Sequence, residues 1–306
     1  VAAEALTSLA LLQIILQEET LLQIIDSFPE MEALCANQAF DMGHWERYIK
    51  GVLPELYQLC MDDMNRILAT GKFTFEADYL PVLQLVFSHS ERRKQTHELF
   101  VQLTRGLEGK ITQLFGRCPD VNLVFYLGLC NAAGWVTTIN QRTHILLGIE
   151  KIMELQWDNP GDFLGLLYHE LGHAHHMQYG RFSCDMADAR RKFLWQLFSE
   201  GVALCYEQML MGSAEYYHKD KNGWKAWCDE HFEQIMQDFT LDLPTMAFDT
   251  QRWFGDWVSY QGRGDVGYYL GCRFVQHILK SLSFDQTIKL DIQGIEQFYA
   301  DFLKTG

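Results

Sequence analysis

"DVNLVFYLGLCNAAGWVTTINQRTHILLGIE", residues 120–150, interrupts a chain that is otherwise patterned for helices. It opens with "DVNLVFYLGLC", a short and strongly apolar run of β type. "GWVTTIN" follows, and beyond the turn-forming pair Asn140-Gln141 comes "THILLGIE". These three segments read as a small sheet with an antiparallel hairpin across the turn. Upstream, residues 1 to about 117 are mostly helix-patterned. "HWERYIKGVLPELYQLCMDDMNRILATGK" carries apolar residues at helical spacing with a kink allowed at Pro54, and "SHSERRKQTHELFVQLTRGLEGKITQLFG" is a second amphipathic stretch. Downstream of "DNPG" the helical period returns. Asp162 is placed to cap a helix over 163–179 that stops at Gly180. A second helix follows Asp185 or Asp188 and runs to about Gly212, and 223–239, 266–282 and 293–304 are helix-like. The expected fold is α+β, mainly helical, with the small sheet leading into the 163–179 helix. A helical lobe over 1–117 and a second region over 118–306 are expected, either as two units or as one integrated domain.

Composition narrows the functional classes. Of the 306 residues 48% are apolar and 13% aromatic, enough for a sizeable core. Lys and Arg number 25 against 40 Asp and Glu, a net charge of −15 without any basic block. Such a surface repels phosphate backbones and anionic lipid, which argues against nucleic acid and membrane as partners. The apolar "LTSLALLQIILQEETLLQII" is cut by Gln13, Gln17, Glu18 and Glu19, too interrupted for a membrane span. Eight cysteines, Cys184 among them, are scattered without a C-x-x-C pair and read as free thiols of a reducing, cytoplasmic setting.

The chemistry concentrates in "LLYHELGHAHHMQYG", residues 166–180, with four histidines in eight positions. His169-Glu170-Leu171-Gly172-His173 is an H-E-x-x-H motif. Histidines four apart share a helix face and can reach one ion, while Glu170 is placed to take a proton from a water that the ion activates. A catalytic zinc needs a third protein ligand. "FSEGVALCYEQ" offers Glu200, 27 residues beyond His173, in an apolar stretch where an unpaired carboxylate is costly. The expected ligand set for one catalytic Zn²⁺ is therefore His169, His173 and Glu200. His175 projects away from that face, as a surface residue or a contact of the ligands. His176 lies nearer the face and reads as pocket wall or as support for a ligand, since one straight helix cannot easily wrap three imidazoles around one ion. His218, His231 and His277 read as structural.

"HELGHAHH" together with "SEGVA" resembles the gluzincin metallopeptidases, zincins whose third ligand is a glutamate. "HELGHAHH" is also similar to the H-E-x-G-H-A-x-H stretch of the thimet oligopeptidase family. The order "GWVTTINQRTHILLGIEKI", "YHELGH", "SEGVA", "GYYLGCRFV" looks most like a poorly characterised family of predicted zinc-dependent peptidases, over roughly residues 120–280. The resemblance implies a zincin-like fold and hydrolysis of peptide or protein substrates. It also implies a tyrosine that hydrogen-bonds the developing oxyanion, for which Gly267-Tyr268-Tyr269-Leu270-Gly271 offers Tyr268 first and Tyr269 next. It further implies a β-strand that takes up substrate backbone by edge addition, for which "THILLGIE" is the counterpart. Many gluzincins carry an Asp four residues beyond the glutamate ligand to orient a histidine; here that position is Leu204, so another group must fix the imidazole. Two other readings stand beside the peptidase: a zinc hydrolase of a non-peptide amide or ester, and a non-catalytic module that a metal stabilises. The retained Glu170 and the three-ligand set speak against the last.

Overall fold

In a computed structural model, residues 21–182, 188–255 and 257–305 are described. Most of the apolar N-terminal stretch, the candidate cap Asp185 and Cys184 lie outside them. The three strand expectations are met by β2 (Val121–Tyr126), β3 (Gly134–Ile139) and β4 (Arg142–Gly148). A fourth strand, β1 (Leu22–Asp26), pairs in parallel with β2, starting from Leu22 opposite Val121. This corrects the helical reading of the first 117 residues. A five-residue apolar run carries too little period to be told from a helix, and its partner strand is remote in sequence.

The sheet order is β1-β2-β4-β3, with β2 parallel to β4 and β3 antiparallel to β4. Asn140 and Gln141 form the hairpin turn, both at positive φ (50° and 65°), as a type I′ turn requires. Here the expectation for "THILLGIE" is overturned. β4 is an interior strand, buried on both faces, and the half-exposed β3 is an edge, as is β1 at the other side. The residues explain the swap: "ILL" is a continuous apolar run, the signature of two covered faces, whereas "GWVTT" mixes Thr with apolar residues.

Helices cover the sheet. Before β2 come α1 (Phe28–Cys35), α2 (Met42–Val52), α3 (Pro54–Leu68), a π-turn (Phe75–Tyr79) running into α4 (Leu80–Ser88), α5 (Ser90–Thr104) and α6 (Leu107–Phe115). Each of the two long amphipathic stretches is broken into two helices. Pro54 forces Leu53 into an extended conformation (φ −158°, ψ 108°), and Gly106 adopts φ 71° between α5 and α6. After β4 come α7 (Ile149–Glu154), α8 (Pro160–Tyr179), α9 (Ala189–Met211), α10 (Trp224–Glu230), α11 (Phe232–Asp242), α12 (Val266–Ile278), α13 (Phe284–Thr287) and α14 (Ile292–Phe302). Buried apolar residues from Leu22 to Phe302 belong to a single core. The seven described cysteines are all outside disulfides, and among the described residues no helix is long and apolar enough to cross a membrane.

The helices that matter for the site meet at glycines. A Cβ on Gly201 of α9 would stand 2.1 Å from the Gly271 carbonyl oxygen of α12, and one on Gly172 of α8 would stand 2.8 Å from Ala203 Cα of α9. The glycines of "SEGVA" and "GYYLG" thus let two backbones touch beside Glu200. Gly201→Ala is expected to cost at least about 3 kcal/mol, because backbone rather than a movable side chain blocks the new methyl. A urea unfolding midpoint equal to that of the wild type would contradict this.

Candidate metal centre

Helix α8 begins earlier than its sequence suggested. Asn159, not Asp162, is the N-cap: its side chain accepts from Asp162 N–H at 3.1 Å and donates to Asp162 Oδ2 at 2.7 Å. Pro160 explains the shift, since proline suits the first helical position and holds the residue before it extended. The helix ends at Gly180 as expected, and α9 is capped by Asp188, which accepts from Arg190 N–H at 2.8 Å.

These two helices bring His169, His173 and Glu200 together. Nε2 of His169 and Nε2 of His173 lie 3.2 Å apart, and each lies 3.2 Å from Glu200 Oε2. The three atoms form an equilateral triangle. Donors bound to zinc at 2.0–2.2 Å and tetrahedral angles are separated by about 3.3–3.6 Å, close to this edge. The chemistry of the set points the same way, because lone-pair atoms at this distance repel unless a proton or a cation sits among them. These His and Glu groups could hold a metal ion. Burial alone would raise the Glu200 carboxyl, but the charge of His173 and hydrogen bonds from both imidazoles hold it far below the usual carboxylate range.

Glu170 is buried, and burial pushes its carboxyl up to about 7 despite the opposing pull of His173. A Cβ at Gly134, the first residue of β3, would lie 2.7 Å from Glu170 Cγ and 2.8 Å from its Oε1. The glycine therefore makes room for this carboxylate against the edge strand. Two cavities flank the triangle, of about 220 Å³ and 270 Å³, sharing His169, Glu170, Gly134 and Tyr268 as a common wall.

The carboxylate that faces the far ring nitrogen of His169 is that of Glu207. Its Oε2 stands 3.5 Å from His169 Nδ1 and 2.9 Å from His218 Nδ1, and its Oε1 accepts from His218 N–H at 3.1 Å. A proton on Nδ1, facing Glu207, would leave His169 Nε2 its lone pair for the triangle. Glu207 escaped the sequence reading, although its signal was present: seven residues beyond Glu200, it occupies the same face of α9 two turns on. His218 adjoins the site through this bridge and as part of the lining of the cavity of about 220 Å³, its ring packed edge-on to Trp157 and turned to that of His169.

The remaining candidates separate cleanly. Tyr268 lines both cavities, its ring centroid 6.0 Å from that of His169. Tyr269 does not reach the cleft; it is buried against Tyr217 and Trp224, and its O–H donates to Asp229 Oδ1 at 2.7 Å. On a helix, adjacent residues point about 100° apart, so only one of the pair can face the triangle. His231 stacks on Trp227, and His277 faces Asp301 at 3.3 Å, both away from the site. His176 is wholly buried behind the second cavity among Phe182, Trp195 and Phe198, two of which line that cavity.

His175 is not on the surface. It is fully buried in a nest of Phe115, Tyr179, Tyr206 and Phe284, and burial lowers its imidazole to about 4. The side of α8 opposite the site faces α6, α9 and α13 rather than water, which helical periodicity alone did not reveal. Because the folded value lies below the unfolded 6.5, the unfolded chain binds a proton that the folded chain refuses between these two values. His175 thus costs no stability above about pH 7 and about 2 kcal/mol by pH 5. His175→Phe is expected to remove that part of the acid destabilisation, read as a smaller drop in melting temperature between pH 7 and pH 5. An unchanged drop would contradict the burial argument.

The chain matches no protein-family model, no curated protein and no solved structure.

Proposed function

We propose that the protein is a zinc-dependent peptidase of gluzincin type. The observation that carries this reading is the 3.2 Å triangle of His169, His173 and Glu200 with the buried carboxylate of Glu170 beside it. Three protein donors leave a fourth position for water or substrate, the arrangement of catalytic rather than structural zinc. When bound, zinc supplies a Lewis acid that acidifies water and polarises a carbonyl.

The chain's own groups do the rest. Glu170 takes the proton of the attacking water on its carboxylate and passes it to the departing amine, so one C–N bond is exchanged for a C–O bond without net proton change. Its raised value suits that double role, since a group poised near neutrality can both accept and return a proton. Tyr268, on the shared wall of the two cavities, offers its O–H to the oxygen on which charge develops. The half-exposed edge strand β3 supports an extended peptide backbone by strand addition, which favours peptides over small esters. The thiol cysteines suit a reducing compartment.

The test is metal analysis combined with a mixed peptide library read by mass spectrometry. One zinc per chain and cleavage of internal amide bonds are expected. Metal held by His175 or His176, or hydrolysis of small amides with every peptide left intact, would overturn the reading.

A further inference from the structure

The two cavities that flank the triangle differ in charge. The one of about 220 Å³ is lined by Lys151 and Lys219, whose side chains are only 12% and 13% exposed. Among the described residues, the other is lined by no Lys or Arg at all. In a chain of net charge −15, two largely buried ammonium groups next to a catalytic centre call for a reason. Both are anchored. Lys219 Nζ lies 3.1 Å from Asp265 Oδ2 and 3.5 Å from the centre of the Tyr268 ring, and Lys151 is tethered to Glu154 one turn along α7. An ammonium has three donors and Asp265 takes one, so Lys219 retains capacity for a second anion.

Strand direction says which part of a substrate meets these lysines. The lysine-lined cavity is walled by Asn131, Ala133 and Gly134, and the other by Gly134, Trp135 and Val136. β3 therefore runs from the lysine-lined cavity toward the one that Glu170 and Glu200 line without a lysine. A peptide added antiparallel to this edge, the more stable pairing, runs the opposite way, and its C-terminal side enters the lysine-lined cavity. A parallel peptide would bring its N-terminal ammonium against two lysines, which have donors but no acceptor to offer it. Pairing and charge agree on one orientation.

We infer that the Lys151–Lys219 cavity is a carboxylate-binding subsite that holds the C-terminal side of the substrate, so that a free carboxylate there selects the peptides that are cut. This rests on the peptidase reading for its catalytic meaning, but the subsite can be tested without turnover. Matched peptides are prepared as free acids, as C-terminal amides, and as amides ending in Glu or in Gln. Binding to zinc-loaded Glu170→Gln protein is measured by calorimetry, and cleavage by the wild type is followed by mass spectrometry.

Free acids are expected to bind about 10- to 100-fold more tightly than amides, the size of one charge-assisted hydrogen bond. Lys219→Met, which keeps the apolar stem over Tyr268, is expected to shrink that ratio toward one, and Lys151→Met to shrink it in part. An amide ending in Glu that recovers the affinity, where Gln does not, would identify a side-chain carboxylate as an equal source; no recovery would identify the chain terminus. Equal binding and equal cleavage of acids and amides would overturn the subsite while leaving the peptidase standing. Discriminating binding without cleavage of any peptide would keep the subsite and overturn the peptidase. Because the acid-to-amide ratio is read first on protein with both lysines intact, a lysine variant that fails to fold does not remove the test.

Discussion

Glu170→Gln is expected to lower kcat by about 10³-fold while zinc content stays at the wild-type level. The substitution is nearly isosteric, so it keeps the fit against Gly134, where a Cβ would lie 2.7 Å from Glu170 Cγ. It removes only the ability to take a proton. The residue touches the triangle through space without contributing a donor to it, which is why rate and metal content are expected to part company. Saturating peptide separates kcat from binding, and metal analysis on the same sample checks the second half. Activity within ten-fold of the wild type would mean that another group activates the water. Loss of zinc along with activity would mean that Glu170 belongs to the ligand set instead.

How much of this was legible in the sequence depends on whether the determinant is local. H-E-x-x-H and the glutamate of "SEGVA" are local patterns on single helices, and both come to one point. The hairpin was equally local, since two turn residues link its strands. What escaped depends on distant neighbours. β1 is a strand because β2 lies beside it, and β4 is interior because both β2 and β3 claim it. His175 is buried because α6 and α13 fold over α8, which no period in α8 can report. Glu207 was a different kind of omission. An apolar helix that already contains one buried carboxylate rarely contains a second, and a search along the same face finds it one heptad on.

Removing a ligand gives the second large effect. Glu200→Ala is expected to weaken zinc binding well beyond 100-fold, more than the 10–100-fold typical of losing a group that only supports a ligand. Two imidazoles would remain at the corners of a triangle that has lost its charged corner, and the dication would no longer meet a carboxylate in a site that is 15% exposed at most. Glu207→Gln is the matched comparison. It leaves all three donors in place but replaces the acceptor facing His169 Nδ1, and it belongs in the milder range. Thermal unfolding reads both without any substrate. Zinc at 1,000 times its dissociation constant is expected to stabilise the wild type by about 4 kcal/mol, the effect of a ligand that binds the folded site and not the dispersed chain. The same zinc concentration is expected to leave the melting temperature of Glu200→Ala almost unmoved and to raise that of Glu207→Gln by an intermediate amount. An undiminished zinc shift in Glu200→Ala would place the metal elsewhere, and the triangle would then be an ion pair between two imidazoles and a buried carboxylate, with no ion at its centre.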